Sequence, residues 1–267
     1  MGAAVACAAW GQGSVADGDA TFTYVTFGTN PCSADRASFV PGTVGGAPDV
    51  AWAIWWWLGI DGLAEAALPA PSAQSYVGDR ATLDFDALGG VAGLTARLVG
   101  TVRDGAGDNQ ATWFEELTVT NASGAAVEID AIHYADIEAG GTFATDDAEN
   151  PDLADPSWIR ITDPAAPDFF EDYRAAQPDA FQVNAYSGLC TLLQDGSASD
   201  LADTGLPFGP GDFTGAFEWR GRILPDGGSI TLVTAVGIDE PTLPGLVFQD
   251  DFESQDFTRW TSAQPPP

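Results

Sequence analysis

Four kinds of side chain in this sequence could do chemistry: carboxylates, a lone histidine, three cysteines and a knot of tryptophans. Carboxylates dominate, with 39 Asp and Glu, so acid pairs arise from composition alone and position must select among them. Glycoside hydrolysis needs one carboxylic acid and one carboxylate at a set separation. Two pairs sit beside aromatic rings: Glu115 and Glu116 near Trp113, and Asp136 and Glu138 after Tyr134. Neither amounts to a catalytic motif, and no catalytic residue is assigned. Metal binding is a second use of acid. The segment TDDAENPDLADP gathers Asp146, Asp147, Glu149, Asn150, Asp152 and Asp155, and calcium takes about six to eight oxygens from loops of this kind. The spacing is not that of an EF-hand, so a solvated acidic loop is the competing reading. No motif requires a cofactor; calcium is the ion these residues suit.

His133 stands alone, which excludes histidine-cluster metal sites and zincin motifs. A Ser-His-Asp triad would need a nucleophile elbow, and no G-x-S-x-G is present. His133 falls in phase with Val127, Ile129 and Ala131, the inward face of a strand, where it reads as a hydrogen-bonded structural residue. Cys7 lies in a short apolar N-terminal stretch, leaving Cys32 and Cys190 as an even pair suited to one disulfide in an oxidising compartment. Such a long-range bridge would stabilise by about 4–5 kcal/mol on the loop-entropy view. Asn121-Ala122-Ser123 matches a glycosylation sequon by pattern.

The segment DVAWAIWWWLGIDG holds Trp52, Trp55, Trp56 and Trp57. As a strand it puts Trp52, Ile54, Trp56, Leu58 and Ile60 on one face, the core face. Ala51, Ala53, Trp55, Trp57 and Gly59 take the other. Trp55 and Trp57 are then either a platform for stacking sugar rings or are covered by a loop or second layer.

Period-two alternation dominates elsewhere. FTGAFEWRGRIL, PDGG and SITLVTAVGI read as a β-hairpin, as do the runs around Trp113–Val119 and Val127–Ala131 joined by NASG. ATLDFDA, GLTARLVGTVR, TFTYVTF, SWIRIT and AFQVNAY read as further strands, and PDFFEDYRAA is the best helix candidate. The expected fold is all-β, an antiparallel β-sandwich of jelly-roll or supersandwich type with at most one short helix. Residues 17–240 would form it. Residues 1–16 read as a signal-peptide-like remnant, with Ser14-Val15-Ala16 fitting small-x-small cleavage, and 241–267 as a Pro-rich linker and tail.

The net charge is −30, with nine arginines and no lysine. That field disfavours nucleic acid and anionic membranes, which need basic patches; a high-salt habitat or a GC-rich genome would also produce it. No apolar run approaches the roughly 18–20 residues of a membrane-spanning helix. Near the C-terminus, Phe248, Asp250, Phe252 to Ser254, Asp256 and Trp260 resemble the short F-x-D-x-F-E-S-G-D-x-S-x-W tail of secreted bacterial proteins. Gln255 stands where that motif has glycine. The resemblance implies export and covers about one twentieth of the chain.

These readings point to a secreted or cell-surface protein that binds or assembles without catalysis, its partners glycans or other surface proteins. Two alternatives remain: a carbohydrate-binding module using exposed Trp55 and Trp57, and a carboxylate-dependent glycoside hydrolase.

Overall fold

Seventeen strands form among the described residues, several alternating in burial and four of the longest buried on both faces over much of their length. The structure is a computed structural model that describes residues 13–27, 35–43, 47–153 and 155–238. A three-stranded sheet joins β1 (Gly13–Asp17), β2 (Ala20–Tyr24) and β3 (Ala37–Val40). A five-stranded sheet runs β14 (Ala180–Ala185), β16 (Phe213–Leu224), β10 (Val127–Ile137), β4 (Ala51–Ile60), β5 (Ala66–Ala67). The nine-stranded sheet begins with β15 (Phe208–Gly211), β11 (Asp146–Glu149), β12 (Trp158–Asp163) and β13 (Ala166–Ala175). It continues through β17 (Ser229–Ile238), β9 (Ala111–Asn121), β8 (Leu94–Asp104), β7 (Arg80–Phe85) and β6 (Ala73–Val77). Strand pairing is antiparallel throughout these sheets, and the expected all-β sandwich is what forms. One short helix, α1 (Gly188–Leu193), is present among the described residues.

Three expectations need correction. Both expected hairpins are arches. β9 pairs with β8 and β17, whereas β10 pairs with β16 and β4. β16 and β17 likewise enter different sheets. Alternation is the same in a hairpin and an arch; what differs is whether the two greasy faces lie side by side or look at each other across the core. Asn121 fastens the two crossings. Its Nδ2 donates to Ala125 O (2.7 Å) and Leu224 O (2.8 Å), and its backbone N–H reaches Gly228 O (2.9 Å). This asparagine is fully buried, so the sequon is structural in the folded protein.

Segment 167–176, expected as a helix, lies mostly in strand β13. Phe169 and Tyr173 suit a helical and an alternating pattern equally. The strand prevails because consecutive residues bury on opposite sides: Tyr173 enters the core while Asp172 takes a bidentate pair with Arg160 of β12 (2.7 and 2.9 Å). Thirdly, the domain reaches back to Gly13. Ser14-Val15-Ala16, assigned to the leader, sits within β1; Val15 is buried and Ala16 N donates to Gly78 O (3.0 Å). The remaining leader residues and 241–267 lie outside the described residues, as does Cys32. Cys190 is buried on α1.

One polar group ties the three sheets together. Glu115 of β9, 1% exposed, accepts from Tyr24 of β2 (2.8 Å) and Trp113 of β9 (3.2 Å) at Oε1. At Oε2 it meets Trp56 Nε1 of β4 (2.7 Å) and His133 Nε2 of β10 (3.1 Å). The Tyr173 hydroxyl donates to the His133 carbonyl (2.9 Å) and lies 2.7 Å from Nδ1, so Nδ1 must bring its own proton. Nε2 lies within reach of both Glu115 Oε2 (3.1 Å) and the Thr234 hydroxyl (3.3 Å). Gly100 makes room for this hub, since a Cβ there would meet the Trp113 ring at 2.2 Å. Phe22 stacks on the ring's face at 3.6 Å. Exchanging Glu115 for Gln puts an amide N–H against ring donors. Glu115→Gln is expected to cost about 3–5 kcal/mol in urea unfolding; a loss under about 1 kcal/mol would show the hub to be dispensable.

Candidate functional site

The outer face of the five-stranded sheet is half covered. Over Trp57, Ile132 and Ala216 lie Leu189 and Leu193 of α1, with Leu201 beyond it. Trp57 is 2% exposed and its indole N–H finds no acceptor among the described residues. Trp55 is fully buried, its Nε1 donating to Leu68 O (2.9 Å) and its ring edge-on to Tyr24 and Phe85. The stacking platform expected at Trp55 and Trp57 is therefore absent: a helix covers one ring and the strand's own return covers the other. Trp52, expected in the core, is instead 37% exposed; it lies where the pairing with β10 shifts register between Asp136 and Ile137. Trp56 is buried as expected.

The calcium residues divide. Asp146 to Glu149 form strand β11 rather than a loop, which sends Asp146 inward, fully buried, and leaves Glu149 exposed. Asn150, Asp152 and Asp155 close a turn on themselves, Asn150 Nδ2 bonding Asp155 O (3.0 Å) and Asn150 Oδ1 accepting from Asp152 N (2.9 Å). No group of three or more such side chains among the described residues is placed to hold a metal ion. Glu115 and Glu116 point to opposite sides of β9, one into the core and one to solvent.

The pair Asp136 and Glu138 does belong to a cluster. β10 ends beside β16 and β4, with Asp136 opposite Thr214 and Ala53. Tyr134, two residues earlier on the same face, donates to Asp136 Oδ2 (3.3 Å). Asp212, just before β16, accepts Tyr186 N at its carbonyl (2.8 Å). Asp146 Oδ1 accepts Ala139 N (3.1 Å), holding the chain after Glu138. Asp49 Oδ1 accepts Phe39 N (2.8 Å), and Asp35 lies near it.

Burial pushes the Asp136 carboxyl up to about 8, helped by the charges of Asp212 and Glu138. Burial also raises Asp146 to about 7, against its two backbone hydrogen bonds. Glu138 is raised by burial and then by Asp212, Asp49 and Asp35, while Asp212 is raised by burial. No arginine among the described residues forms an ion pair with any of these carboxyls. Asp136 and Asp146 are sealed from solvent; Glu138, Asp212 and Asp35 are half-buried, and Asp49 and Tyr186 are exposed. The arrangement is a rim of partly exposed carboxyls beside two sealed ones whose affinity for a proton burial raises. Sequence reasoning found Asp136 and Glu138 from their adjacency to Tyr134. It missed Asp212, Asp49, Asp35 and Tyr186, which topology alone brings there.

The raised values fix a sign. These carboxyls bind protons more tightly folded than unfolded, so their contribution is present below the ordinary carboxylate range and is lost as pH rises toward about 8. Each such group costs about 1.4 kcal/mol per pH unit within its window. Asp136→Asn is expected to leave stability at pH 4 unchanged, to raise it at pH 7 by a few kcal/mol, and to flatten the slope between. Chemical denaturation across that range measures it; equal slopes in both proteins would refute it.

No protein-family model matches the sequence, and no curated protein matches it at a significant level. Among solved structures, a bacterial glucoamylase complexed with acarbose aligns over 87% of this chain, with a TM-score of 0.54 and 8% identity. A human-microbiome protein described as a kojibiose phosphorylase aligns over 84% of the chain and 29% of its own, at a TM-score of 0.39 and 8% identity; it is too distant to inform the fold. The chain spans about a third of the glucoamylase's length, 32%, and what it shares with that part is the β-sandwich fold.

Proposed function

We propose that this chain is a non-catalytic carbohydrate-recognition module acting outside the cytoplasm, and that it holds its ligand at the carboxylate rim. The observation that carries this reading is the pair of half-buried carboxyls Glu138 and Asp212, which form no ion pair among the described residues, near the exposed ring of Tyr186. A carboxylate accepts hydrogen bonds from neighbouring sugar hydroxyls, and an aromatic face covers a sugar's apolar side. The likeness to part of a glucoamylase supports the same direction. Against catalysis stands the geometry of proton donors: Asp136 and Asp146, the carboxyls that hold a proton near neutral pH, are beyond a substrate's reach. Export is supported by the small apolar N-terminal stretch and the C-terminal motif, and a Cys32–Cys190 bridge would fit that compartment.

Titration calorimetry against acarbose and a panel of neutral soluble glycans tests the proposal. Binding is expected to at least one of them, and Asp212→Asn combined with Tyr186→Ala is expected to weaken it by roughly tenfold or more. Absence of binding across the panel, an unchanged Kd in the variant, or release of sugar by the unaltered protein would each overturn it.

A further inference from the structure

In a chain this acidic every arginine should find a carboxylate, yet several do not. Arg97, Arg160, Arg220 and Arg222 form ion pairs. Arg36 is buried and bonds the Thr26 carbonyl. Arg80, Arg103 and Arg174 form no ion pair among the described residues, although Asp172, Asp155 and Asp152 lie near enough to Arg174 to act on its charge. These three arginines lie on the outer face of the nine-stranded sheet.

The register places them in order. One row crosses the sheet as Trp158, Arg174, Ala235, Phe114, Thr101 and Arg80. The next row is Arg160, Asp172, Gly237, Thr112 and Arg103. Arg174 lies over the Trp158 ring at 3.9 Å and Arg103 over Phe114 at 5.1 Å. A guanidinium laid on a ring keeps its N–H edge free and oriented for a carboxylate. Asp172, the acid on this face next to Arg174, is already bound to Arg160. With strands about 4.8 Å apart, Arg174 and Arg80 stand about 19 Å apart.

The last described strand ends within this array. β17 ends at Ile238, one residue past Gly237 in the second row. The following segment carries Asp239, Glu240, Asp250, Asp251, Glu253 and Asp256 against the single base Arg259, with Phe248, Phe252, Phe257 and Trp260 among them. Twelve extended residues reach about 40 Å, so Asp250 and its neighbours can arrive at any of the three arginines. Tethering supplies an effective concentration near millimolar. We propose that the C-terminal motif, residues 248–260, docks on the outer face of the nine-stranded sheet, its carboxylates seated on Arg174, Arg103 and Arg80. This occupant answers both features of the face, its arginines without an ion pair among the described residues and its half-buried rings at Trp158, Phe114 and Phe170. It is independent of glycan binding at the rim.

Trypsin reads the docking directly, because the chain has no lysine and Arg259 is the one arginine beyond Arg222. Cleavage after Arg259 in the full chain, followed by mass spectrometry, is expected to be slow and to accelerate roughly tenfold in Arg103→Glu/Arg174→Glu, as the undocked population grows. Two measurements leave the folded domain untouched: 1 M NaCl on the unaltered protein, and Asp250→Asn/Asp251→Asn/Glu253→Gln/Asp256→Asn. Both are expected to speed the same cut. A cleavage rate indifferent to all these changes overturns the proposal. So does protection that appears only at concentrations where sedimentation shows a dimer, since a second copy would then occupy the face. Protection that appears only on adding polygalacturonate would assign the arginines to an acidic glycan and overturn it equally.

Discussion

A single buried carboxylate constrains this fold more than any other group. Glu115 sits where three sheets meet, and hydrogen-bond partners from all three converge on it. A charge in such a place is tolerated only when its lone pairs are fully engaged. Donors from β2, β4, β9 and β10 must therefore arrive together and in register. Apolar packing around it has no comparable directionality, because Leu, Ile and Phe accept many arrangements of similar volume. The hub thus selects one arrangement of the sheets out of those that hydrophobic burial would permit. It also explains the sole histidine, whose two nitrogens link the carboxylate to Tyr173 of the nine-stranded sheet.

Charge is distributed unevenly over what remains. One end of the five-stranded sheet concentrates carboxyls without a compensating base, and their mutual repulsion and burial hold protons on Asp136 and Asp146. On the outer face of the nine-stranded sheet Arg160 and Arg97 are paired with acids, while Arg80, Arg103 and Arg174 form no ion pair among the described residues. An acidic polypeptide free to relax would bring these together, but the sandwich keeps them on different surfaces. The separation is a property of the topology, and it gives the molecule two chemically distinct faces on one scaffold.

Much of the architecture was legible in the residues. β8 and β9 alternate along most of their eleven residues, whereas β16 and β17 are buried on both faces over seven consecutive positions, and neither pattern is that of an amphipathic helix. His133 in phase with Val127 and Ile129 was legible as an inward residue for the same reason. What alternation cannot express is the partner of a strand. Both expected hairpins became arches because Asn121 and the turns at 122–126 and 225–228 fasten a crossing between sheets. Burial of Trp55 and Trp57 was open for a related reason. The cover over Trp57 comes from α1, more than a hundred residues away, and no local periodicity carries that. At the rim, Asp136 and Glu138 were visible from Tyr134, whereas Asp212 and Asp49 join them through pairings of β16 and the approach of β3.

The arches also set an order of events during synthesis. β16 lies between β14 and β10, and β17 lies between β13 and β9, so the latest strands to emerge from the ribosome are interior strands of both layers. Until residues 213–238 are available, each large sheet exists as separate fragments with open edges. Contacts of such long sequence separation make folding slow. A nascent polypeptide of this topology keeps both large sheets incomplete until the chain has been made as far as Ile238.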